Sequence, residues 1–158
     1  MKKVLLFSVL TIVFTMNSVA QNNATIIKLR WVNDKNKEWK FDGKYLTLRW
    51  ENDKNKEWEF DGRYLRPRWA STYDNSKEWE FDGRYLRPRW TSAYDNSKEW
   101  KFDGKYLMLR WENDKNKEWE FDGRYLRPRW ASAYDNSKEW EVNGNVPIPV
   151  LAKAVGII

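Results

Sequence analysis

The chain has 158 residues, a formal charge of +6, and neither cysteine nor histidine. Those two absences exclude disulfides, cysteine lipidation and the usual zinc ligands, and remove the commonest general base and a thiol nucleophile. Acids and bases interleave along the sequence, and the apolar mass is largely aromatic, 12 tryptophans among it, so a short chain can still bury a large area.

The first twenty residues read as a secretory signal peptide. Lys2 and Lys3 precede an apolar stretch from Val4 to Met16, and Ser18-Val19-Ala20 puts small residues at a cleavage site before Gln21. The stretch is shorter than the ~20 apolar residues of a spanning helix, so no membrane span is expected after cleavage. The expected destination is secreted, periplasmic or cell-surface. Residues 21–158 are then one domain.

Residues 26–31, Ile26-Ile27-Lys28-Leu29-Arg30-Trp31, look like the second strand of a hairpin without its first, a strand cap at the start of the domain. From 38 to 145 one unit recurs six times: Glu-Trp-Glu/Lys-Phe-Asp-Gly-Arg/Lys-Tyr-Leu-x-Leu/Pro-Arg-Trp. Its Glu-Trp tryptophans are Trp39, Trp58, Trp79, Trp100, Trp119 and Trp140, spaced 19 or 21 residues apart. The Arg-Trp set is Trp31, Trp50, Trp69, Trp90, Trp111 and Trp130. A fixed period of this size marks an array of one supersecondary unit.

Asp-Gly (five times) and then Asn143-Gly144 sit between alternating runs, which predicts six antiparallel β-hairpins with two-residue type I′ turns. That register would set Trp58 opposite Leu65, Glu59 opposite Tyr64 and Glu57 opposite Arg66. Trp58, Phe60, Leu65, Pro67 and Trp69 would share a buried face, and Glu57, Glu59, Tyr64, Arg66 and Arg68 a charged one. Pro67, Pro88 and Pro128 cannot donate to a ladder, which argues against one continuous, fully paired sheet.

Segments 38–77 and 99–138 differ only at Thr47/Met108 and Thr72/Ala133, as after a recent tandem duplication. A stacked array tolerates gain and loss of units. The expected fold class is therefore all-β, six tandem hairpins of 19–21 residues stacked as a solenoid-like or curled sheet array, with a closed β-trefoil or barrel as the alternative. Residues 146–158 begin Val146-Pro147-Ile148-Pro149-Val150 and read as an apolar C-terminal cap, or as a strand offered to a partner's sheet edge.

No cofactor or metal is expected. Asp34-Lys-Asn36-Lys-Glu38 has the spaced oxygens of a calcium loop but lacks its glycine, and turn chemistry accounts for it. Glu57 and Glu59 fit cross-strand ion pairs better than acid–base catalysis, and a catalytic site would not be copied in every unit. Neither an enzyme nor a nucleic-acid binder is expected. The strands are also too short for an outer-membrane barrel.

The positive reading is an exported, multivalent, non-enzymatic binding module for glycan or a cell-envelope polymer. Its candidate residues are the tyrosines Tyr45, Tyr64, Tyr85, Tyr106 and Tyr125 as stacking rings, beside Arg66, Arg87 and Arg127 and the anions Glu57, Glu78 and Glu118. Tyr73, Tyr94 and Tyr134 of the long connectors could add to it. The rival reading is a structural or adhesive repeat protein that engages another protein through edge strands or the apolar tail. The alternation of Trp, Tyr and turn glycine is similar in style to choline-binding repeats and to MORN-type hairpin arrays. The Trp-Tyr-Tyr core of the first and the Tyr-x-Gly-x-Trp of the second are absent, so no residue is carried over.

Overall fold

The computed structural model of the protein describes residues 24–69, 77–90, 96–130 and 136–158. The expected signal segment and Tyr73, Tyr94 and Tyr134 lie outside them. Twelve strands run β1 (Thr25–Leu29), β2 (Trp39–Phe41), β3 (Tyr45–Leu48), β4 (Trp58–Phe60), β5 (Tyr64–Pro67), β6 (Trp79–Phe81), β7 (Tyr85–Pro88), β8 (Trp100–Phe102), β9 (Tyr106–Leu109), β10 (Trp119–Phe121), β11 (Tyr125–Pro128) and β12 (Trp140–Asn143). One helix follows, α1 (Ile148–Ala154).

The sheet is a closed antiparallel barrel in which sequence neighbours are sheet neighbours, and β1 pairs with both β2 and β12. The open, solenoid-like stack is thereby corrected in favour of the barrel alternative, and the trefoil does not occur. The physical reason lies at the two ends of the array. β12 is a first strand without its second, and β1 a second without its first. Leu29 opposite Trp140 and Ile27 opposite Val142 complete a sixth hairpin from the two halves. Arg30 N donates to Glu139 O at 2.8 Å, as Arg49 N does to Glu38 O within the first continuous hairpin. Closure leaves the described sheet without a free edge, so recognition through edge strands loses its basis.

The turns differ from type I′. Positive φ falls on glycine alone, +102° at Gly62, and no described non-glycine residue shares it. The central pair is therefore Gly62-Arg63, with positive φ at its first position alone and Asp61 and Tyr64 flanking it. Asp61 N donates to Tyr64 O at 3.2 Å, while the Asp61 carboxylate accepts from Arg63 N at 3.0 Å and Tyr64 N at 2.7 Å. Aspartate serves here as an acceptor, not as a residue that tolerates positive φ. The pairing moves accordingly: Trp58 faces Pro67, Glu59 faces Arg66 and Phe60 faces Leu65. Each first-strand residue now faces a partner two positions further on, so within the strands Trp58, Phe60, Leu65 and Pro67 keep one face and Glu59, Tyr64 and Arg66 the other, and only the partners change.

Pro67 fits the closed sheet. It stands opposite Trp58 and beyond the last pairs with β6, Tyr64–Glu80 and Leu65–Trp79, where no ladder hydrogen bond is required of it.

Inside, the side chains form layers. Ile27, Leu46, Leu65, Leu86, Leu107 and Leu126 make a ring at most 2% exposed. Phe41, Phe60, Phe81, Phe102 and Phe121 lie towards the Asp-Gly end and Trp39, Trp58, Trp79, Trp100, Trp119 and Trp140 towards the connector end. About eight strands make a barrel that side chains alone can fill. Twelve leave a wider lumen, and α1 occupies it. Val150, Leu151 and Ala154 pack with Ile27, Phe41, Leu46 and Leu65, while Ile148 and Ala152 pack with Leu86, Trp100 and Leu107. The apolar C-terminal segment is thus a helix packed inside the barrel and not an extended strand. Pro147 and Pro149 belong to its first turn, where a missing N–H costs nothing. Gly156, φ +79°, ends it, with Ile157 N donating to Ala152 O at 2.9 Å.

Candidate functional site: a tryptophan belt on the outer wall

Alternation stops where each second strand stops, and the Arg-Trp residues lie just past that point. Trp31, Trp50, Trp69, Trp90, Trp111 and Trp130 are 50–60% exposed, in contrast to the buried position expected for Trp69 and its copies. Each indole turns onto the outer wall because a carboxylate waits there. Trp69 Nε1 donates to Glu57 at 2.6 Å, and Arg68 donates to the same oxygen at 2.9 Å. Trp31 and Arg30 likewise donate to Glu139, and Trp111 and Arg110 to Glu99, there with one carboxylate oxygen for each donor. Trp90 and Arg89 meet on Glu78, Trp130 and Arg129 on Glu118, and Trp50 and Arg49 on Glu38. Glu57 is only 9% exposed, so its charge is satisfied by these donors more than by water.

The arginines link the units. Arg68 lies 4.8 Å from the Trp69 ring centroid and 4.0 Å from that of Tyr45 in the preceding hairpin. Arg89 stacks on Tyr64, Arg110 on Tyr85, Arg129 on Tyr106 and Arg30 on Tyr125, at 4.1–4.3 Å or, for Tyr106, 4.0 Å. A second cation lies over each tyrosine, such as Arg63 over Tyr64 at 5.3 Å. The five candidate tyrosines therefore share the outer wall and hold guanidinium on their rings, as the belt tryptophans also do, but are half-buried where the tryptophans are exposed. Among the described residues the exposed aromatic surface is the tryptophan belt.

The other candidates divide. Glu57, Glu78 and Glu118 reach the belt and orient its indoles. Arg66, Arg87 and Arg127 stand nearer mid-wall, against Glu59 (3.6 Å), Glu80 (3.4 Å) and Glu120 (3.5 Å). Glu80 is held below the usual carboxylate range, first by its bond from Arg63 and then by Arg87, against an upward push from burial.

At the connector end the Asp-Lys-Asn-Lys segments form single 3-10 turns. Asp34 caps one by accepting from Asn36 N at 3.1 Å, and Asp53 and Asp114 repeat this at 3.0 Å. Within the calcium-like pattern, Asp34 accepts from Asn36 N and pairs with Lys37, and Glu38 accepts from Trp50 and Arg49. Over the rings of Trp50, Trp69 and Trp130 stand Lys35 (5.3 Å), Lys54 (5.1 Å) and Lys115 (4.9 Å).

One signal of the belt was legible in the sequence. The Glu-to-Trp separation is twelve residues in all five continuous units, whether the connector is short or long, which ties the two into one hairpin. No protein-family model, curated protein or solved structure matches the chain.

Proposed function

We propose that the protein is an exported, non-enzymatic, multivalent glycan-binding module whose stacking surface is the tryptophan belt. The observation that carries this is the six-fold repetition of a half-exposed indole, held in orientation by a carboxylate and an arginine on a closed scaffold. An apolar ring face beside charged hydrogen-bonding groups suits the C–H face and hydroxyls of a sugar. The platforms recur every two strands, hence about 10 Å apart along the wall. A polymer that meets neighbouring platforms gains avidity from weak individual sites. In this reading Glu57, Glu78 and Glu118 position the indoles, and Arg66, Arg87 and Arg127 line the wall beside the bound chain.

The test is binding of the purified protein to a panel of glycans and envelope polysaccharides at low and physiological salt. Salt-resistant binding to related sugars, lost in Trp50→Ala/Trp69→Ala with the thermal midpoint retained, is the expected result. No binding, or binding to every polyanion that salt abolishes, overturns it.

A further inference from the structure

The Asp-Lys-Asn-Lys turns treat their two lysines differently. The second is neutralised inside its own connector: Lys37 meets Asp34 at 3.7 Å, Lys56 meets Asp53 and Glu51 at 3.5 Å, and Lys117 meets Glu112 at 3.1 Å and Asp114 at 3.6 Å. The first, Lys35, Lys54 or Lys115, has no ion pair among the described residues, is exposed, and stands over a belt tryptophan. The aspartate that caps the turn fixes the backbone from which this lysine reaches the indole. The belt glutamates cannot neutralise it cheaply, because each already accepts from an indole and a guanidinium.

Resting on the glycan reading, we infer that Trp50, Trp69 and Trp130 form subsites for acidic sugars, polysaccharide units that carry a carboxylate. The carboxylate draws Lys35, Lys54 or Lys115 away from the indole it stands over, and the sugar ring takes the face so vacated. Lysine is suited to this as a compact charge on a flexible stem, which accepts a carboxylate without demanding the bidentate geometry of arginine. An exposed ion pair adds only ~0.2–1 kcal/mol, so the preference for acid is built from several such subsites acting on one chain.

The experiment compares polygalacturonate with its carboxyl-reduced, neutral counterpart at physiological salt, using the full chain and the variant Lys35→Gln/Lys54→Gln/Lys115→Gln. Polyglutamate serves as an acidic polymer without sugar rings. The acidic glycan is expected to bind about tenfold more tightly than the reduced one, the variant to lose that difference, and polyglutamate not to compete. Unchanged near-ultraviolet circular dichroism shows that the variant is folded. Equal binding of acidic and reduced polymer, or an acid preference that survives in the variant, overturns the inference and leaves the glycan reading standing. Competition by polyglutamate overturns it in favour of plain charge attraction. Failure of every glycan in the panel to bind removes the glycan reading itself.

Discussion

At the scale of single residues, the belt depends on carboxylates with little access to water. Glu57→Gln keeps an acceptor for Trp69 and Arg68 but removes the charge, and should cost about 1–2 kcal/mol in urea unfolding. Glu57→Ala, which leaves both donors without that partner, should cost more. If both variants unfold like the parent, the glutamate is an ordinary surface group. The turn glycines make a second comparison. A Cβ at Gly62 meets nothing within 4 Å, so Gly62→Ala should cost only the strain of φ +102°, about 1–2 kcal/mol. At Gly144, where φ is +129°, a Cβ would lie 2.5 Å from Thr25 Oγ1, beside the contact that joins β12 to β1. Gly144→Ala should therefore be clearly the more destabilising of the two by chemical denaturation.

At the scale of elements, outer-wall ion pairs and turn carboxylates make the strands sensitive to acid. Glu80, Glu120 and Glu141 are lowered first by their bonds from Arg63, Lys105 and Arg124. Asp61, Asp82, Asp103 and Asp122 are pushed up by burial but brought below their ordinary value by the backbone N–H groups they accept from and by nearby cations. A carboxylate lowered by folding stabilises the native state above its unfolded pKa, and that contribution is lost as pH falls through the folded value. The urea midpoint should hold from neutral pH down to about 5 and fall progressively below the ordinary values of 4.5 and 3.8. A midpoint flat to pH 3 would show that these pairs do not matter. For α1 the test is packing. Leu151 is 1% exposed, and Leu151→Ala should cost about 2–5 kcal/mol. A cost near zero would mean the helix does not fill the lumen.

At the scale of the whole molecule, closure fixes the number of strands. Deleting residues 78–98 removes β6 and β7 and leaves ten strands around a helix that twelve accommodate. The deletion should abolish the near-ultraviolet dichroism of packed tryptophans, not merely subtract one unit's share of stability. A chain that folds cooperatively without this unit would restore the open-array description.

Much of this was legible in the sequence. The period of 19 or 21 residues, the glycine turns and the two strand faces follow from local rules, because alternation is set by the pleat and punctuation by the residues that turn the chain. Even the true register had a local signature. Glu59, Glu80 and Glu120 go with Arg66, Arg87 and Arg127, whereas Lys40 and Lys101 go with Thr47 and Met108, and these are the facing pairs. The ends hinted at closure too, one strand lacking a first partner and the other a second. What local rules could not decide was where the sheet goes. Open and closed arrays use the same hairpins, and only the pairing of Ile27 with Val142, 115 residues apart, separates them. The lumen, and with it the helical state of Val146 to Ile158, exists only once that pairing is made. The belt is tertiary for the same kind of reason. Past the end of a strand no alternation assigns a face, and each indole goes where a buried or half-buried glutamate across the hairpin accepts its N–H.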